Sequence, residues 1–456
     1  MRFFSSLAVP EARALVFGVC PNPVRVTPHI TVGSGETIPE VNYILPHGSE
    51  VSASTIDDVV TLYARMAEGV LERAYDLGIA KLIIEIELVF ELTLNPSWGA
   101  RVIRVTREAM DRYEAKGVHS ALRTTVADIR DRVRPPRLRT SDETRLVFEC
   151  FEACAADSDI LSIESTGGKE VSDDALLNCD IGGVLFAMGT LGSNDMEFLW
   201  TKICKIADTY GKVAGGDAAC GFANTAMQLA RKRMLPTVFA AMVRAVGAAR
   251  SLVAIECGAK GPDKDCAYEG PVLKAIAGIP IAMEGKSAAC AHSSPVGNVA
   301  MACCDTWSNE SVPFVQLFGG FSPEVSLEQL WYDCKLMNEA TRSGDAVRVR
   351  DLLTLSDVRT SAEALVLAPE SCMRIAKAII STPDRLQRAH RAAKEALAII
   401  DEAAGEGRLS IPEVEQNWIG MIRAGMDEFE SLGDGAAAHY AKQYAHLFVP
   451  SEYGLT

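Results

Sequence analysis

Eight short apolar segments rich in β-formers, separated by helical patterns, constrain this chain more than any other feature. They span residues 81–88, 122–129, 159–163, 182–188, 212–214, 252–256, 279–283 and 312–318. Continuous apolar runs suit strands buried on both faces, and alternation with helices argues for a parallel sheet. Eight such units fit a (β/α)8 TIM barrel, a fold of about 250 residues. An open doubly wound sheet is the competitor. No GxGxxG follows a strand, so a dinucleotide fold lacks its fingerprint. Residues 1–54 are rich in Pro, Gly and Val and read as an N-terminal extended arm, with short strands near 24–26 and 41–45. A helix is expected over 55–77. Beyond residue 321 the pattern is almost wholly helical. The expected division is therefore an arm (1–54), a barrel (55–325) and a C-terminal helical region packed on the barrel (326–456).

Composition narrows the function classes. The chain has 456 residues, 48% of them hydrophobic, which is enough for a large core. Its formal net charge of -15 disfavours nucleic acid or an anionic membrane as partner. Two basic clusters, Arg130 to Arg139 and Arg231 to Arg233, read as surface or partner contacts. No apolar run free of charge reaches the roughly 18 residues of a membrane span. Charged Glu11 and Arg13 interrupt any leader pattern, so a cytoplasmic protein is expected. The 13 cysteines include neither CxxC nor HExxH. A core of this size needs no disulfide framework, so most thiols read as small buried hydrophobes.

In a barrel, chemistry sits on the loops that follow the strands. The third expected strand ends at Glu164. The fifth runs into a Gly-rich turn bearing Asp217 and Cys220, with a helical pattern directly behind it. The sixth leads to Cys257, Lys260, Lys264 and Cys266, and the seventh to Lys286, Cys290 and His292. Carboxylate and thiol groups arriving at one rim from separate strands suggest zinc, which takes S, N and O ligands and in catalytic sites keeps one position open. Each residue also has a plainer reading. Glu164 suits a rim salt bridge, Cys220 a buried thiol, His292 a structural hydrogen bond and Asp217 a cap for the next helix. A Cys220–His292 nucleophile pair and a Schiff-base lysine at 260, 264 or 286 are further options.

Three long segments, 215–226 (GGDAACGFANTA), 260–271 (KGPDKDCAYEGP) and 279–298 (IPIAMEGKSAACAHSSPVGN), resemble the methanol:corrinoid methyltransferase family, and 38–46 (IPEVNYILP) is similar to that family's start. The likeness runs through most of the chain. It implies a (β/α)8 barrel with zinc held by Glu164, Cys220 and Cys266, Cys257 and Cys290 staying open as alternatives for the third ligand. It further implies transfer of the methyl group of methanol to Co(I) of a corrinoid carried by a small partner protein. Asp217 is a candidate proton source for the leaving oxygen. The assembly implied is a homodimer within a heterotetramer. Three other functions remain: a related barrel enzyme using a methoxylated aromatic or methylamine, a non-catalytic subunit that binds the corrinoid protein, and a thiol-based hydrolase.

Overall fold

The computed structural model describes residues 1–455, except 46, 47, 265, 267, 287, 289–292, 312–315 and 318. An antiparallel hairpin comes first, β1 (Val19–Arg25) with β2 (Thr31–Ser34). Seven parallel strands follow in one curled sheet: β3 (Ile38–Tyr43), β4 (Lys81–Glu87), β5 (His119–Val126), β6 (Ile160–Ile163), β7 (Val213–Asp217), β8 (Ala282–Glu284) and β9 (Thr306–Ser311). Their spatial order is β7-β6-β5-β4-β3-β9-β8. Helices connect most successive strands, as parallel pairing demands. The two ends of the sheet, β7 and β8, are bridged by the segment 260–263. Lys260 N and Gly261 N donate to the carbonyls of Ala214 and Gly215, both at 2.8 Å. Ala282 N donates to Asp263 Oδ1 at 3.0 Å on the other side.

That bridge explains why the turn after residue 213 is glycine-rich. A Cβ on Gly215 would meet Ser162 Oγ at 2.7 Å and Pro262 O at 3.0 Å, and one on Gly216 would meet Asp263 Cα at 3.0 Å. The two glycines let backbone approach backbone. Gly167 and Gly168 are likewise packed, against Asp195 and the Ala187 carbonyl.

Side chains alternate along each strand, so every second residue points into the curl. The inward residues form layers. Ile38, Ile83, Ala121 and Ile160 form the lowest, and Ile30 and Val32 of the hairpin plug it from below. Glu40, Arg123, Ser162 and Thr306 come next, tied by hydrogen bonds. Asn42, Glu85, Glu87 and Thr125 lie above them, towards the carboxyl ends.

Five of the eight expected strands have counterparts. Segment 182–188 does not: it is helix Ile181–Phe186 running into a π-helical stretch, Ala187–Gly192. Segment 252–256 is the end of helix Thr237–Cys257. Both runs are buried on all sides, and apolar continuity alone does not separate a buried strand from a buried helix. Segment 312–318 falls largely outside the described residues. The strand overlooked was β9, whose sequence is Thr-Trp-Ser-Asn-Glu-Ser; β3, expected near 41–45 as a short strand of the arm, belongs instead to the main sheet.

Helix Thr237–Cys257 is long and apolar enough to cross a membrane, but it is wholly buried inside the protein. Its charges are internally paired, Arg244 with Glu363 at 2.7 Å and Glu256 with Arg388 at 2.8 Å. Helix Arg385–Gly405, which carries Arg388, thereby joins the C-terminal helices to the core. Arg130 also departs from its expected surface position. It is buried between Asp128 and Asp195, at 2.8 and 2.7 Å.

Candidate active site

Glu164, Cys220 and Cys266 meet at the carboxyl edge of the sheet, with one potential ligand atom of each lying within 4.8 Å of the others. Glu164 is the residue directly after β6. Cys220 is the first residue of helix Cys220–Arg231, where exposed backbone N–H groups favour an anionic side chain. Cys266 is brought in by the segment that bridges β7 and β8. The sulfurs of Cys220 and Cys266 are paired as a disulfide, with Cα atoms 5.6 Å apart, and Cys266 Sγ lies 3.2 Å from Glu164 Oε1. A carboxylate and two sulfurs at this spacing form a donor set that fits zinc once the cysteines are reduced.

The loops bearing these residues are held from behind. Asp217 is fully buried. Its Oδ1 accepts from Ser165 N at 3.2 Å and its Oδ2 from Trp200 Nε1 at 3.1 Å. Burial pushes the Asp217 carboxyl up, and the Arg250 guanidinium 3.6 Å away offsets this only in part. Arg250 in turn donates to the Ser165 carbonyl at 2.8 Å. Ser165, the residue after Glu164, is thus clamped from two sides. On the opposite loop, Glu269 Oε1 accepts from Ala219 N and Ser251 Oγ, both at 2.7 Å. It ties the residue before Cys220 to the chain just after Cys266.

Lys264 completes the surroundings. Its ammonium is buried among three carboxylates, at 2.9 Å from Glu85, 2.7 Å from Glu87 and 3.5 Å from Glu164. Asn42 Nδ2 donates to Glu87 at 2.6 Å and Thr125 Oγ1 to Glu85 at 2.5 Å. A lysine engaged in this way is a structural counter-charge and a poor Schiff-base nucleophile. A cavity of about 510 Å³ opens beside it, lined by Leu45, Leu88, Phe90, Val126, Glu87 and Glu164 among others. Of the converging residues Glu164 lines it; Cys220, Cys266 and Asp217 do not.

Cys257 lies elsewhere, its sulfur against Thr201 and the Glu197 carbonyl. Lys260 contributes its backbone to the bridge, and Lys286 faces Asp333 at the surface. Cys290 and His292 lie outside the described residues. Among the described free thiols, eight of the ten are buried, and burial pushes Cys20, Cys204 and Cys303 up to about 12, as expected for small hydrophobes. Glu85, Glu87 and Arg123 were missed from sequence. Their signal was the two-residue alternation Ile83-x-Glu85-x-Glu87 and Ala121-x-Arg123-x-Thr125, in which charged residues share the inward parity of apolar ones.

Catalytic-type side chains gathered at the carboxyl edge of a parallel sheet define an α/β enzyme. The chain matches the family described as methanol-cobalamin methyltransferase B subunit over residues 1–454. It is 40% identical over 462 residues to the methanol–corrinoid protein co-methyltransferase of Methanosarcina barkeri (strain Fusaro / DSM 804), covering 99% of each chain. It also matches a chain in the crystal structure of the methanol:cobalamin methyltransferase complex MtaBC from Methanosarcina barkeri, with a TM-score of 0.95, 38% identity and full coverage of both chains. The protein belongs to the methanol-cobalamin methyltransferase B subunit family, and is a methyltransferase.

Proposed function

We propose that this chain takes the methyl group of methanol and passes it to Co(I) of a corrinoid carried by a partner protein. The convergence of Glu164, Cys220 and Cys266 beside the cavity carries this reading, in a chain that follows a family member from end to end. These three residues would hold zinc. Bound there, zinc supplies Lewis acidity that weakens the C–O bond of the alcohol. The rest falls to the protein. Lys264 balances charge among the carboxylates and steadies Glu164, while Leu45, Leu88, Phe90 and Val126 keep bulk water from the reacting carbon. As the methyl carbon bonds to the partner's Co(I), the C–O bond breaks with its electron pair on oxygen, and the oxygen takes a proton from solvent and leaves as water. A cavity of about 510 Å³ far exceeds methanol, and the surplus suits a bulky corrinoid approaching through the mouth.

The same reading treats the sheet as a closed (β/α)8 barrel, with 260–263 in the eighth place. Its division keeps an arm (1–54), a barrel (55–325) and a helical region (326–456), the arm lending β3 to the sheet. Two such chains would pair within a heterotetramer with the corrinoid protein, in the cytoplasm.

Methyl transfer to a Co(I) corrinoid, followed by the visible spectrum, tests the substrate. Methanol should support it, and methylamine and methoxylated aromatics should not. Transfer from an aromatic methoxyl group with none from methanol would overturn the proposal.

Asp217 acts in this reading as a brace for Glu164 rather than as a proton source. Asp217→Asn keeps its shape but turns one acceptor into a donor facing a donor. The expected result is a loss of about 1–3 kcal/mol in stability, with methyl transfer within tenfold of the parent and an unchanged pH profile. A shifted profile together with a loss of several orders of magnitude would restore the acid role.

A further inference from the structure

We propose a second metal site, at the opposite end of the sheet from the first, formed by His29, Glu114 and His119 and suited to a divalent first-row transition ion. It goes beyond the methyl-transfer reading and does not depend on it. One nitrogen of each imidazole and one oxygen of the carboxylate lie within 4.8 Å of one another. Glu114 Oε1 is 2.8 Å from His119 Nδ1 and 3.5 Å from His29 Nε2. Ligands at about 2.0–2.1 Å from a tetrahedral zinc stand roughly 3.3 Å apart, so these separations straddle the required value. Both rings present a nitrogen to the same carboxylate oxygen; they stack with centroids 4.0 Å apart and planes 13° from parallel, so one ring must turn for both in-plane lone pairs to reach a single ion.

The three side chains come from three separate pieces of the fold. His119 opens β5, at the amino end of the sheet. Glu114 closes helix Pro96–Glu114. His29 sits in the tight connection of the β1–β2 hairpin, where Val26 N donates to the Ile30 carbonyl at 2.9 Å and Thr27 Oγ1 accepts from Ile30 N at 3.1 Å. Two imidazoles and a carboxylate are a familiar set for zinc, cobalt or nickel, and the neutral imidazole is the form that binds. His29 and Glu114 are exposed, so an ion enters directly and water fills the remaining positions. Occupied, the site would pin the hairpin that plugs the sheet from below.

Cobalt(II) added to the reduced, chelator-stripped protein separates the two sites. A thiolate site gives sulfur-to-cobalt charge-transfer bands in the near ultraviolet. A His2Glu site gives only weak visible bands. The parent protein should take up about two equivalents, one of each kind, and its unfolding midpoint should rise as the second fills. His29→Ala and Glu114→Gln should each lose the sulfur-free equivalent, leaving the charge-transfer bands and methyl transfer unchanged. Uptake of the thiolate-type equivalent alone by the parent, or a sulfur-free equivalent that persists in both variants, would overturn the proposal. Absence of the charge-transfer bands alone would count against the Cys220–Cys266 site and leave this one standing.

Discussion

Cys220→Ala is expected to lower methyl transfer from methanol by about three orders of magnitude or more while leaving the protein folded. Methanol is a poor methyl donor because hydroxide leaves badly. Lewis-acid assistance is worth several kcal/mol, and each 1.36 kcal/mol is tenfold in rate. Removing one of three ligands should empty this site, so zinc content is expected to fall by about one per chain in this variant. Cys266→Ala and Glu164→Gln should behave alike. Folding should survive, because Cys220 opens its helix and Ala219 N keeps its bond to Glu269. Cys257→Ala is the control, since that thiol sits against Thr201 and Glu197 and should leave both zinc and rate untouched. Zinc analysis beside single-turnover rates, with circular dichroism as the folding check, makes the measurement. A Cys220→Ala protein that has lost this zinc yet keeps full activity would end the metal reading.

How much of this was visible in the sequence differs from element to element. β4, β5 and β6 were legible because they are buried continuous runs between clear helical patterns. The three converging side chains were legible because the turn around Asp217 and Cys220 is unusual and the resemblance carried the rest. What escaped shares a cause. β9 and the upper layers are polar residues on buried strands, and β3, expected only as a strand of the arm, was not read into the sheet because its glutamate and asparagine take inward positions. A reading that equates strand with apolar run passes over strands whose inward side chains are paired ions. Segments 182–188 and 252–256 failed in the other direction. Gly182 and Gly183 lie under Tyr440 of helix Ala436–Gln443 and Tyr444 directly after it. Such tertiary burial makes a helix apolar all round and erases its 3.6-residue signal. Glycines at 167, 168, 215 and 216 permit close packing.

Breaking the Glu40–Arg123 pair should destabilise the protein by about 3–5 kcal/mol, because the partner left behind is a buried, uncompensated charge. Both side chains are fully buried, 2.5 Å apart. Arg123 also donates to Ser162 Oγ at 3.0 Å and to the Pro262 carbonyl at 2.9 Å, while Glu40 accepts from Thr306 Oγ1 at 2.7 Å. The pair therefore links β3, β5, β6 and β9 with the 260–263 bridge. In Arg123→Met, Glu40 would keep only a hydroxyl donor from this set, and Pro262 would lose its partner. The double change Glu40→Leu with Arg123→Met removes both charges, and apolar replacements of buried pairs are often neutral or better. The double variant should thus recover most of what either single change loses, a coupling that urea unfolding of the four proteins would measure. Additive losses would show that the pair is not an interacting unit. Recovery of stability without recovery of zinc content would mean more: the pair would then serve to hold the bridge, and with it Cys266, in the register the site needs.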